Sequence, residues 1–193
     1  MMETGDGSIS RKDALANGVP PATFTRYVRL NQLAKIRRGV YAKTEGTVDD
    51  LYQFQRRYPK IVYSGITALY LLGLTDRIPD LIEFTVAKGY RVRKESAGSR
   101  VICHVENNAE LFGMGNVNSK TIFGNIVACF SKEKMVVEMI RKRDEYDSEL
   151  FLKALKTFLK GTDKEMDFLF EYARMRKIEE KVYRILEAMD YEN

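Results

Sequence analysis

The apolar positions of this chain change period along its length, and each change marks an element. In residues 18–42, GVPPATFTRYVRLNQLAKIRRGVYA, a turn at Gly18-Val19 leads into Pro20-Pro21, which suit only the first turn of a helix. The helix predicted here ends near Asn31. At 100° per residue, Phe24, Tyr27 and Val28 share one side, and Thr25, Arg26 and Arg29 lie opposite with Ala22. One face calls for a core; the other is polar and cationic. Residues 33–36 and 40–42 then read as short strands around the turn Arg37-Arg38-Gly39. Ahead of them, Ser10 is a candidate N-cap for a helix over 11–17, with Ala14 and Leu15 inward and Asn17-Gly18 as its stop. Helix, turn, helix and basic hairpin make the second half of a winged helix-turn-helix, in which the second helix enters the major groove and the wing touches the backbone. The pattern before Ile9 holds no first helix for such a domain, and residues 1–8 read as disordered. The next helix, predicted from Thr47 as N-cap with the stripe Leu51, Phe54 and Tyr58, is expected to cover the apolar side of the reader helix.

Downstream the pattern alternates between strand and helix. Residues 61–63 form a strand, Ser64 caps a helix over 65–72, and Gly73 stops it. Alternation over 81–88 and 100–105 predicts two strands, separated by the basic, Gly/Ser-containing stretch RVRKESAGS. Residues 120–123 and 125–130 read as a hairpin around Gly124. From 132 onward the spacing is helical. One helix covers 132–143; Asp147 caps another that runs to Lys160. Thr162 and Glu165 form the capping box of a third, and a fourth covers 177–190. The fold class is therefore α+β: a winged helix-turn-helix with its first helix missing or shortened (residues 1–45), then a mixed α/β domain (46–193) with a helical tail from about 132.

Composition narrows the chemistry. Hydrophobic residues make up 45% of the 193, enough for a core. No apolar run approaches the roughly 18 residues of a membrane span, and the start MMETGDGSIS lacks the basic and apolar regions of a signal peptide. Two cysteines, Cys103 and Cys129, read as reduced thiols in a cytoplasmic core rather than a disulfide framework. Of the formal charge of +5, all arises in residues 1–44, where eight Lys/Arg face three acids (8 − 3 = +5). A basic surplus on a helix-turn-helix pattern is the footprint expected of phosphate binding. The candidate DNA-facing residues are Thr23, Thr25, Arg26 and Arg29 on the helix and Lys35, Arg37 and Arg38 on the wing, supplying base-edge donors and phosphate clamps. No metal-ligand spacing, cofactor loop or nucleophile–base pair stands out. Cys103 and the single histidine, His104, are strand neighbours and so face opposite ways. Asp76 and Asp80, like Glu106 and Glu110, read as turn and cap residues. The chain is expected to be no enzyme and to carry no cofactor.

Three stretches carry a family resemblance: LAKIRRGVYA, then YSGITALYLLGLTDRIP with TVAKGYR, then IFGNIVACF and the helical tail to MDYEN. Over residues 10–190 the sequence resembles the AbiEi family, antitoxins and transcriptional regulators of type IV abortive-infection toxin–antitoxin systems that act in phage defence. It departs from relatives at Gly65, where they often carry His, and at residues 131–135. The resemblance implies a cytoplasmic autoregulator. Its winged helix would bind double-stranded DNA repeats in its own promoter, as a monomer in solution that binds cooperatively on DNA. Its C-terminal domain would counter a nucleotidyltransferase toxin of the AbiEii type. The alternatives are a protein–protein interaction module and a stand-alone winged-helix regulator with no toxin partner.

Overall fold

A computed structural model of the chain describes residues 8–31, 33–42, 49–92 and 100–190. Two compact units divide it: Met1–Arg57 with Lys120–Val127, and Tyr58–Ser119 with Ala128–Asn193. The class is α+β, with a three-stranded and a five-stranded sheet.

In the first unit, strand β1 (Ser8–Ser10) runs into helix α1 (Arg11–Ala16), whose N-cap Ser10 accepts from the Asp13 N–H as its sequence requires. Helix α2 (Pro21–Leu30) follows, then β2 (Ala34–Arg37) and β3 (Val40–Ala42). The sheet order is β1-β3-β2, all antiparallel. β3 thus takes the centre, and its Val40 and Ala42 are buried. Helix α3 (Asp50–Arg57) is capped by Asp49, which accepts from the Tyr52 N–H at 3.0 Å. Thr47, the cap expected from sequence, lies outside the described residues. The Asp49 carboxylate is buried and also held by Thr121 and, at 3.0 Å, by Asn125. α3 is tied to β1 by a buried Gln53–Ser8 hydrogen bond and to α1 by an Arg56–Asp13 ion pair. It belongs to the first unit.

The second unit is built on the strands β4 (Val62–Tyr63), β5 (Ile82–Ala87), β6 (Val101–Glu106), β7 (Asn116–Lys120) and β8 (Ile126–Phe130), in the order β6-β5-β4-β8-β7. β4 pairs antiparallel with β5 and parallel with β8, while β5 and β6 are parallel. Helix α4 (Gly65–Leu71) follows β4, and the short α5 (Ala109–Gly113), unmarked by periodicity, lies between β6 and β7. The first hairpin strand ends at Lys120 instead of beginning there, because Gly124 donates to the Thr121 carbonyl and closes the turn over 121–124. Four helices complete the unit: α6 (Lys132–Arg141), α7 (Ser148–Lys160), α8 (Met166–Met175) and α9 (Glu179–Asp190). Asp147 caps α7 as expected. The Thr162–Glu165 capping box does not form: Lys164 binds the Leu159 and Gly161 carbonyls and holds this link out of helix, and Glu133 of α6 accepts from the Glu165 N–H. Met135, Val136, Met139, Leu155, Phe158, Leu169, Tyr172 and Val182 fill the core between the helices. No helix among the described residues is long and apolar enough to cross a membrane.

Candidate functional site

Two places concentrate chemistry, one in each unit. In the first, α2 buries Phe24, which meets Tyr41 of β3 edge-on at 5.5 Å between ring centroids. Tyr27 and Val28 are half-buried beside it, while Thr23, Thr25, Arg26 and Arg29 are exposed. The wheel drawn from sequence therefore holds. α3, expected to cover this side, ties to β1 and α1. The Thr25 hydroxyl donates to the Pro21 carbonyl at 3.0 Å, leaving its oxygen as an acceptor. On the hairpin, Lys35 and Arg38 are exposed, and the Arg37 side chain lies outside the described residues. Gly39 supplies the turn's positive φ of 80°.

The structure gathers Lys35 and Arg38 with Arg11 and Lys12 of α1 along one groove, lined also by Leu15, Gly39 and Tyr41. Among the described residues that groove holds four cations and no acid. The α2 residues do not line it. Leu15, expected inward, faces it at 38% exposure. Arg11 and Lys12 were visible in the charge count, yet no local pattern joins them to the hairpin; the link is the Arg11 N–H donating to the Gly39 carbonyl at 2.8 Å. Among the described residues, Arg11, Lys12, Arg26, Arg29, Lys35 and Arg38 enter no ion pair, and the neighbouring acid, Asp13, is engaged by Arg56.

The second place is a cavity of about 270 Å³ in the other unit, which sequence reading did not anticipate. Its floor is an ionic chain. Arg176, in the link between α8 and α9, binds Glu106 of β6, Glu138 of α6 and the Tyr172 hydroxyl. Arg141 binds Glu138 at 2.7 Å from the same helix. Burial pushes Glu138 up, but the Tyr172 hydroxyl and the Arg176 and Arg141 guanidiniums outweigh it and leave it below the usual carboxylate range. Glu106 is likewise lowered: the Asn108 N–H and Arg176 overcome its burial. On the wall, Glu83 accepts from His104 Nε2 at 2.7 Å and from the Ile66 N–H at 2.9 Å, so it caps α4 in place of Ser64. Its carboxyl is held down by His104 and Ile66 against the effect of burial. Cys103 points the other way and is exposed rather than in the core; Cys129 is buried, and burial pushes its thiol up to about 12.

Lys134 of α6 is 1% exposed beside this cavity. Its ammonium donates to the Leu111 and Met114 carbonyls at the end of α5 and sits 3.4 Å from the centre of the Phe130 ring. Burial pushes it down to about 7, against the attraction of Glu138. Because an unfolded lysine titrates near 10.5, the unfolded chain binds more protons between about pH 7 and 10.5, and stability gains from Lys134 as pH rises through that window. Lys134→Met should remove this rise. Urea melts from pH 6 to 10 should show the wild type gaining on the variant above pH 7, with a limiting slope of about 1.4 kcal/mol per pH unit, and parallel curves below it.

No protein-family model matches the chain, and no curated protein does. Among solved structures it is similar to the crystal structure of the RV2827C protein from Mycobacterium tuberculosis, at 15% identity and a TM-score of 0.59, over 94% of this chain and 72% of that one. That likeness concerns the fold.

Proposed function

We propose that this chain is a DNA-binding antitoxin of the AbiEi kind, a winged-helix autoregulator whose partner is a nucleotidyltransferase toxin. The observation that carries the DNA half is the set of exposed, unpaired cations on one helix-and-hairpin unit, where the single described acid before Asp49 is already engaged. The topology supports it: β1-α1-α2-β2-β3 with sheet order β1-β3-β2 is the order a winged helix lacking its first helix would have. Arg26 and Arg29 on α2 would reach base edges in the major groove, while Lys35 and Arg38, joined by Arg11 and Lys12, would clamp phosphates. The antitoxin half rests on the sequence resemblance.

The test is a titration of the DNA upstream of the gene at graded salt. Arg38→Ala or Lys35→Ala should weaken binding evenly across sequences and lower the salt slope by about 1. Arg26→Ala or Arg29→Ala should cost about 1–3 kcal/mol and relax discrimination at one position. Lack of any binding at low salt would remove the DNA reading. The same full-length variants, co-expressed with the product of the neighbouring gene, separate the two activities: growth rescue should survive the loss of DNA binding. A second reading, a protein–protein module, is favoured by the exposed apolar residues Ile122 (77%) and Ile126 (60%) beside the β7–β8 turn. It predicts rescue with no affinity for DNA in the unsubstituted chain.

A further inference from the structure

The cavity of the second unit has an imbalance that the DNA and antitoxin readings do not use. Three carboxylates line it, and each of their six oxygens already accepts from the protein: Glu83 from Ile66 and His104, Glu106 from Asn108 and Arg176, Glu138 from Tyr172 and Arg141, with Arg176 ion-paired to it besides. A cationic ligand would find no carboxylate oxygen without a donor. What remains unspent are donors. Tyr146 is 8% exposed and lines the cavity, and its hydroxyl, which is open to the cavity rather than sealed off, has no hydrogen-bond partner among the described residues. It is therefore free to donate to a ligand that enters. Ser64 and Thr85 bond to each other at 2.9 Å, which uses one of their two hydroxyl protons and leaves the other without a protein acceptor. Arg141 spends Nε and one terminal nitrogen on Glu138, and its other terminal nitrogen is uncommitted. Lys142 makes one contact, to Glu145 at 2.8 Å.

Besides Lys134, which is spent on the Leu111 and Met114 carbonyls, Arg141, Lys142 and Arg176 offset the three carboxylates, and Arg141 and Lys142 retain partial solvent exposure at the rim. Burial, together with the nearby Glu83, Glu145 and Glu138, raises the Tyr146 hydroxyl well above its ordinary range, so it stays a protonated donor at any physiological pH. The volume, about 270 Å³, lies just below the roughly 300–1,000 Å³ of sites for drug-sized ligands, and so suits a compact molecule.

We propose that this cavity is a binding site for a small oxyanion, the phosphate or carboxylate group of a compact metabolite, with Tyr146 as its buried donor and Arg141 and Lys142 as cations at its rim. The site is independent of the DNA-binding reading.

The experiment is calorimetric titration of the full-length protein with inorganic phosphate, succinate and ribose 5-phosphate, each alone; the three arms separate phosphate from carboxylate and a bare ion from an organic one. At least one should bind saturably at one site. Tyr146→Phe keeps the ring's packing and removes the donor. A hydrogen bond to a charged group contributes about 1.5–3 kcal/mol, so affinity should fall roughly 10- to 150-fold. Lys142→Gln, at the rim and so less apt to disturb the fold, should weaken binding severalfold and serves as the readout if Tyr146→Phe does not fold. Arg38→Ala, in the cationic groove of the first unit, should leave this binding unchanged. Absence of binding by all three probes overturns the proposal. So does binding that Arg38→Ala abolishes, or that neither Tyr146→Phe nor Lys142→Gln weakens.

Discussion

Replacing Arg176 by Ala should lower the unfolding free energy by about 3–5 kcal/mol, the cost of leaving buried charges without their partner. Arg176 is 17% exposed in its side chain and neutralises Glu106 and Glu138, themselves 14% and 13% exposed. Without it, burial dominates both carboxyls and their native pKa values rise. The pH dependence then changes in a defined way. In the wild type both are depressed, so their contribution is present above the unfolded value of about 4.5 and is lost as pH falls through the native values. In the variant that contribution is gone. The gap between the two proteins should be widest at neutral pH and narrow below pH 4.5, measured by denaturant melts across the acid range. Arg174→Ala, which breaks an exposed pair with Glu179, is the control and should leave the melting midpoint nearly unmoved.

Gly65→Ala should be nearly as damaging, at about 2–4 kcal/mol, from two separable causes. Gly65 has φ +54°, where a Cβ costs about 1–2 kcal/mol. An added Cβ would also lie 1.8 Å from the Glu83 carboxyl carbon. Glu83 would have to swing away, giving up both the α4 cap and the His104 bond, a further loss of about 1–2 kcal/mol. In a Glu83→Ala background only the backbone part should remain, so the two substitutions should be markedly non-additive. Additive losses would show that the close approach of Glu83 to Gly65 carries no energy. A chain with His at this position needs another route for the carboxylate.

The elements best read from sequence are those whose logic is local. Phe24 against Arg26 and Arg29 on α2, and the Ser10 and Asp147 caps, each follow from a few neighbouring residues. The failures are equally specific. Asp49, which caps α3, is held by Thr121 and Asn125, more than 70 residues downstream, a link no local pattern shows. The capping box at Thr162 loses to Glu133, 32 residues upstream of Glu165. The cavity was illegible for the same reason. Glu83 meets His104 only because β5 and β6 pair in parallel, with Thr85 opposite His104, and no periodicity encodes that register. Glu106 does serve as a turn residue, binding the Asn108 N–H, but its second oxygen is reserved for Arg176 across 70 positions.

Asp49 also bears on how the protein comes off the ribosome. Its carboxylate closes the front unit with Thr121 and Asn125, residues from the tip of a hairpin that is made long after α3. Synthesis proceeds from the N-terminus at about 5–20 residues per second, so the nascent helix-and-hairpin segment waits several seconds for its last polar partners. During that interval Asp49 has its local cap partner, the Tyr52 N–H, while its second oxygen faces water, and the cationic segment is already outside the tunnel. Cutting the gene after Arg57 would make that waiting state permanent.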